Sequence, residues 1–403
     1  NEDMCIPSFN TSKRKKRRVI GTLVCPSSEP AQYKDRVTND LSTFTRNWET
    51  LTKGVFKRVD WNNIFVAGGS VLRCLICPES YIGGQGDDSL AVQAGWGKSS
   101  DIDIFVYGLD EKTATKKARS VLASIANEAG TKGDVFCTDH SVTLLGVDGA
   151  HPAIQFVLRC YKSPAEVLCG FDIDACCLGF DGEKVLALPR CVRALRTRTI
   201  LVDLDRRSLT YEKRLIKYAK RGFLIACGGF RETDLDATHL SRQPKWALKG
   251  LGLLLRAGTN SFRENYFSIQ ELTDWQDSLR QDAKNDKKQS FGLGDYGDYG
   301  FVPYWGGFVT QDSLDALKQE GTTSFPLKDG TVAVLSNVCS DAVELDLTWV
   351  TQDPGRQLMT GSFHPVSGGD WGECHRWNRN HLPPPDNVRG STGISIDPDF
   401  FKQ

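Results

Sequence analysis

No stretch of the chain approaches the ~18–20 consecutive apolar residues of a membrane span, so no membrane partner is expected. Neither sign of charge is in surplus. Fifty basic residues balance fifty acidic ones, and any attraction to a polyanion must come from local patches. No secretory signal is visible: the chain opens Asn1-Glu2-Asp3 and soon turns basic, which points to an intracellular, cytoplasmic setting. It also opens without Met, and we expect a piece of something longer. No repeat of 20 to 50 residues is present, which excludes solenoids and propellers.

Cysteine is abundant, yet a disulfide framework is not indicated. The count of 13 is odd, and several (Cys160, Cys176, Cys177, Cys227) sit in apolar, strand-like runs. Buried thiols in a reducing compartment fit better. Cys74-Leu75-Ile76-Cys77 is a CxxC without a second pair at zinc-ribbon spacing. Two readings stand for it: a zinc site completed by Cys374, His375 and His381, or a small buried pair near a helix end.

An apolar content of 40% with 25% charged residues is that of a globular protein, and 403 residues suffice for two or three domains. Residues 1–45 read as a basic extension. Its run Lys13-Arg14-Lys15-Lys16-Arg17-Arg18 is read either as a nuclear-import signal or an RNA or phosphate contact, or as a solvated arm or charged hairpin edge. Residues 46–190 read as an α/β core. Leu41 to Phe56 is helical, Ile64 to Ala67 a strand, Ser70 the cap of a helix to Leu75, and Asp101 to Tyr107 a strand. Glu111 to Ala129 is an amphipathic helix burying Ala114, Ala118, Val121, Leu122 and Ile125. Val135 to Leu145 and Ala153 to Tyr161 alternate as a hairpin. Ser163-Pro164 opens a helix, Phe171 to Phe180 is a strand, and Asp181-Gly182 turns it back. Residues 191–290 read as a helical, basic subdomain with one helix opening at Thr210-Tyr211 and closing at Gly222, and another over Pro244 to Leu255. Residues 291–403 read as an irregular region rich in Gly and aromatics.

The chemistry concentrates in Ser100-Asp101-Ile102-Asp103-Ile104. A strand has a side-chain period of two, so Asp101 and Asp103 share a face opposite the two isoleucines. Paired carboxylates repel unless a cation lies between them. Upstream, Gly68-Gly69-Ser70 follows an apolar strand. Such a turn exposes backbone N–H groups, admits close approach and carries a hydroxyl, which suits phosphate. Downstream, Phe171-Asp172-Ile173-Asp174 supplies two further acids at strand spacing.

Gly-Gly-Ser opening a helix, then Asp-x-Asp on a strand, then a later Asp, resembles the DNA polymerase β-like nucleotidyltransferase superfamily over about residues 60–190. Within it the run from Ile154 to Asp172 resembles small phage- and virus-type members. The resemblance implies an α+β fold: a mixed sheet flanked by helices, followed by a helical region and an irregular C-terminal region. It implies transfer of an NMP, AMP by preference, from a nucleoside triphosphate to an RNA end, a protein or a small molecule. Pyrophosphate is released, with Mg2+ or Mn2+ as cofactor. Carried over by position, Gly68, Gly69 and Ser70 hold the β and γ phosphates. Asp101, Asp103 and Asp172 are catalytic and ligate metal, with Asp174 a competing ligand on the same face. About thirty residues separate Ser70 from Asp101, more than the superfamily usually has, and they are Gly-rich.

Arg190 to Arg221 is dense in Arg and Lys. Arg214 or Lys217 is expected on the γ-phosphate, or the stripe tracks RNA; a solvated helix face is the plain alternative. Tyr211 and Tyr218 would stack a base or pack in the core. Three functions compete: a nucleotidyltransferase, an inactive nucleotide-binding or scaffold module, and a second-messenger synthase or toxin-like modifier.

Overall fold

A computed structural model describes residues 22–23, 37, 40–77, 82, 96, 101–138, 140–146, 151–203, 211–226, 311–326, 332–340 and 345–351. The basic run, the 291–308 segment, Cys374, His375, His381 and the Pro244–Leu255 helix lie outside these residues.

Two sheets are present among the described residues. The chain order is β1 (Thr22–Leu23), α1 (Leu41–Thr52), β2 (Ile64–Ala67), α2 (Gly69–Ile76), β3 (Ile102–Tyr107), α3 (Glu111–Ala129), β4 (Asp134–Cys137), β5 (Ser141–Leu144) and β6 (Ile154–Tyr161). It continues with α4 (Pro164–Cys169), a 3-10 turn at Asp174–Cys176, β7 (Leu178–Phe180), β8 (Val185–Ala187), α5 (Pro189–Thr197), β9 (Thr199–Leu201), α6 (Tyr211–Lys220), β10 (Leu224–Ala226), α7 (Gln311–Gln319), β11 (Ser324–Pro326) and β12 (Val332–Asn337). The main sheet runs β11-β12-β4-β5-β6-β3-β2-β7-β8 and the small one β1-β10-β9. In the main sheet β3 and β6 are parallel; the other neighbours are antiparallel. This is the mixed sheet flanked by helices expected of the sequence. No helix among the described residues is long and apolar enough to cross a membrane.

Local chemistry sets the element ends. Asp40 caps α1 by accepting from the N–H groups of Ser42 and Thr43. Asp110 caps α3, and Gly130 ends it at φ 67°. Ser163 caps α4 with Pro164 in the first turn. The apolar stripe of α3 (Ala114, Ala118, Val121, Leu122, Ile125) is buried as its periodicity predicts. On the side of α1, Trp48, Phe56, Trp61 and Phe180 form an aromatic cluster with ring centroids 5.1–6.3 Å apart.

Four sequence expectations are corrected. Ser70 does not cap α2: the cap is Gly68, whose φ of 93° suits glycine, and Ser70 lies inside the first turn. Val135 to Leu145 is two strands, because Thr138 accepts from the N–H groups of His140 and Ser141 and turns the chain between them. Phe171 to Phe180 is not a continuous strand. Only its end pairs, at β7, and a 3-10 turn precedes it. Residues 199–201 and 224–226, within the region read as helical, are parallel strands of the small sheet. Thr199-Ile200-Leu201 is a short β-branched, apolar run that propensity alone favours as strand. Beyond residue 310, α7 and the β11–β12 hairpin extend the main sheet at β4, an addition the Gly-rich composition around them did not signal.

Gly179 in β7 packs its bare Cα against the Phe65 ring and the Val66 carbonyl of β2. A methyl there has no room. Gly179→Ala is expected to lose about 1–3 kcal/mol by overpacking, read as a lowered urea midpoint with an unchanged slope.

Candidate active site

The site lies where β2 ends and α2 begins. Ala67, the last residue of β2, stands opposite Asp103 on one side and Gly179 on the other. Gly68 then turns the chain, its N–H donating to the Leu178 carbonyl at 3.0 Å. No side chain caps the start of α2, so its first N–H groups have no side-chain acceptor at the positive end of the helix dipole. Ser70 is buried, and its Oγ has no hydrogen-bond partner among the described residues.

Phe171 binds this turn to the acidic strand. A Cβ at Gly68 would meet the Phe171 ring at 2.9 Å, and the same ring lies 6.0 Å from that of Phe105 on β3. Phe105 is two residues from Asp103 and therefore on its side of the strand. Asp172 follows Phe171 in sequence and does not pair with β3 as a strand; what links it to Asp103 is Arg214, which ion-pairs with Asp172 and whose charge is felt by Asp103.

Ile102 and Ile104 are fully buried while Asp101 and Asp103 are half-buried, as the two-residue period requires. Burial pushes the Asp103 carboxyl up to about 7, against the pull of Lys217 and Arg214. The strand lying parallel beside β3 presents Gln155 opposite Asp103.

The other two acids part company. Asp172 is fully buried and ion-pairs with Arg214 of α6. Asp174 pairs with Arg193, lies 3.5 Å from Arg190, both on α5, and accepts from the Leu201 N–H at 3.0 Å. The expectation that Asp172 and Asp174 share one strand face is corrected here. Residues 172–173 bend into a 3-10 turn that begins at Asp174, so no strand period applies across them, and the two carboxylates meet arginines of different helices. Burial raises the Asp174 pKa, opposed first by Arg193 and the Leu201 N–H. Among the described residues no three His, Cys, Asp or Glu side chains gather as a metal cage.

The basic segment divides as well. Arg214 is half-buried on Asp172, and Lys217 is exposed while its charge is felt by Asp103. Tyr211 and Tyr218 are core residues: the Tyr211 hydroxyl accepts from the Asp203 N–H at 2.9 Å, and the Tyr218 hydroxyl accepts from the Cys176 thiol at 2.7 Å. Cys74 and Cys77 are free and buried along α2 and at its end. Two residues escaped the sequence reading as parts of one arrangement: Trp96, from the Gly-rich stretch, and Arg221, just past α6. The Arg221 guanidinium lies 3.9 Å from the Trp96 ring and 4.8 Å from that of Tyr218. A lone Trp between two glycines in a polar stretch was the available signal.

Two outcomes are expected. Between pH 4 and 7 the folded state holds a proton on Asp103 that the unfolded chain has released, so stability falls as pH rises through that window. Asp103→Asn removes this slope: the variant gains on the wild type from pH 4 to 7 and not below, as urea unfolding at stepped pH will show. Asp174→Ala strands two arginines and is expected to lose about 3–5 kcal/mol, measured the same way at pH 7.

Three comparisons with known proteins bear on the chain. Residues 35–198 match the model of a family described as Gad2, Gabija anti-defense 2 family protein. An uncharacterised protein of Acanthamoeba polyphaga mimivirus is 30% identical over 198 residues, which is 45% of this chain and 39% of that protein. No solved structure matches. The family match begins just before α1 and ends just after α5, so the stretch of similarity contains the Gly68 turn and Asp101, Asp103, Asp172 and Asp174.

Proposed function

We propose that the chain is a metal-dependent nucleotidyltransferase that moves an NMP, AMP by preference, from a nucleoside triphosphate to an acceptor and releases pyrophosphate. One observation carries the reading: Asp103, with its raised pKa, stands directly across from the residue that precedes the uncapped Gly68-Gly69-Ser70 turn. An acid that burial leaves short of stabilising charge thus sits beside a phosphate-binding geometry.

The donor set fits magnesium. Mg2+ takes oxygen ligands and usually binds through one or two carboxylates together with substrate phosphates and water, a demand that Asp101 and Asp103 meet without a three-acid cage. When bound, such an ion lowers the pKa of the attacking hydroxyl and offsets charge on the phosphates. In this reading Gly68, Gly69 and Ser70 seat the polyphosphate. Lys217, exposed and felt by Asp103, contributes a positive charge. Arg214 holds Asp172 in the free protein, and Asp172 serves as third carboxylate once Arg214 turns to a phosphate. The similarity to a family described as Gabija anti-defense supports an anti-defense setting for this reading, in which the acceptor (RNA end, protein or small molecule) would belong to the defence.

A second reading, nucleotide binding without turnover, draws on the pairing of Asp172 with Arg214 and on Gln155 opposite Asp103. In it Arg214 never leaves, and the pair fixes α6 over the turn.

Pyrophosphate release separates the two. With Mg2+ or Mn2+, each of the four NTPs and a broad acceptor panel, wild-type protein is expected to exceed Asp103→Asn by roughly 10²-fold or more, the scale of one lost transition-state contact. Equal release from both, with ATP still bound in calorimetry, would establish the second reading instead.

A further inference from the structure

We propose that Arg221, the Ser70 hydroxyl and the Trp96 indole N–H form the seat of the terminal phosphate of a nucleotide's polyphosphate tail, so that Trp96 acts directly on phosphate recognition. The inference deepens the nucleotide reading above and rests on it for the identity of the ligand.

Three observations converge at the start of α2. The first is placement. A Cβ built on Gly69 would lie 3.8 Å from the Arg221 guanidinium and 3.3 Å from the Tyr218 hydroxyl, so Arg221 stands over the uncapped helix start. The second is how that arginine is held. It is buried, in contact with the rings of Trp96 and Tyr218. Tyr218 is in turn fixed by the Cys176 thiol and by the Phe223 ring, 6.3 Å away and edge-on. Ring contacts hold a cation through its charge. Arg73, one turn along α2, is buried too; burial lowers its pKa first, and the charge of Arg221 adds to that. Two buried arginines therefore flank the start of α2.

The third observation asks for a ligand. The Trp96 side chain is fully buried, yet its Nε1–H has no hydrogen-bond partner among the described residues, and neither has the Ser70 Oγ. An indole N–H can only donate. Two buried donors without acceptors, one on the ring under Arg221 and one in the first turn of α2 beside it, call for a compact group with several anionic oxygens. A terminal phosphate is that group: it carries three oxygens and the densest charge of the tail. The geometry also explains the glycine at position 69, since any side chain would press on Tyr218 and displace the stack that aims Arg221.

Trp96→Phe is the discriminating substitution. It keeps a ring under Arg221 and removes only the N–H. Calorimetry on the full chain with inorganic tripolyphosphate is the measurement, with pyrophosphate as the shorter probe. Wild type is expected to bind tripolyphosphate more tightly than pyrophosphate. Trp96→Phe and Ser70→Ala should each weaken tripolyphosphate roughly tenfold, the scale of one hydrogen bond to a charged group. Arg221→Lys should weaken it further, and the melting temperature of Trp96→Phe should stay at the wild-type value. Failure of wild type to bind tripolyphosphate, or wild-type affinity in both Trp96→Phe and Ser70→Ala, would overturn the pocket. Pyrophosphate release from NTPs reports separately on catalysis. Weakened tripolyphosphate binding in the variants of a chain that releases no pyrophosphate keeps the pocket and removes the enzyme. Transfer with unchanged KM in both variants keeps the enzyme and removes the pocket.

Discussion

The contact of Phe171 with Gly68 is the constraint on which the acidic end of the molecule depends. Gly68 is the point where a buried strand becomes a helix, and its positive φ leaves one side of the backbone bare. Phe171 fills that side and reaches Phe105 beyond it. The ring therefore ties β2, β3 and the approach to β7 together, although the residues around it belong to no ladder. Asp172 follows in sequence and inherits its position from this packing. Replace the glycine, and the ring, the acid behind it and the arginine on that acid must all shift.

The electrostatics follow from the same crowding. Asp103, Asp172 and Asp174 are each removed from water to some degree, and the chain answers each differently. Asp174 receives two arginines of α5 and a backbone N–H, a fully met arrangement with the character of a structural tie. Asp172 receives Arg214, whose charge also reaches Asp103. Asp103 receives only the longer-range pull of Arg214 and Lys217, and its pKa rises. The gradient runs from a satisfied acid in the interior to an unsatisfied one at the mouth of the turn, which is where a polar ligand would complete the set.

Legibility in the sequence divided along physical lines. The bounds of β2 and α3 could be read directly, because an apolar run ending in Gly-Gly and a 3.6-residue stripe between Asp110 and Gly130 are local signals. Asp101 and Asp103 were legible for the same reason: Ile102 and Ile104 declare the period. Phe171-Asp172-Ile173-Asp174 shows the same alternation and yet turns. What overrides the pattern is the pull of arginines from two separate helices, and no local period can reveal that. Trp96 and Arg221 meet across more than a hundred residues, and the Gly-rich stretch around Trp96 carries no amphipathic rhythm. The extension of the sheet by β12 was hidden because its partner β4 lies some two hundred residues earlier.

That last pairing has a consequence for how the chain is made. Asn337 meets Asp134 across 203 positions. At the ~5–20 residues per second of synthesis, β4 waits roughly 10–40 s with one edge bare before its neighbour exists. During that interval the nascent sheet presents Val135 and Phe136 on an open ladder, the kind of edge that recruits foreign strands. The ribosome-bound intermediate, more than the finished molecule, is therefore the state in which this protein is exposed to misassociation, and shortened versions ending before residue 332 would remain in it permanently.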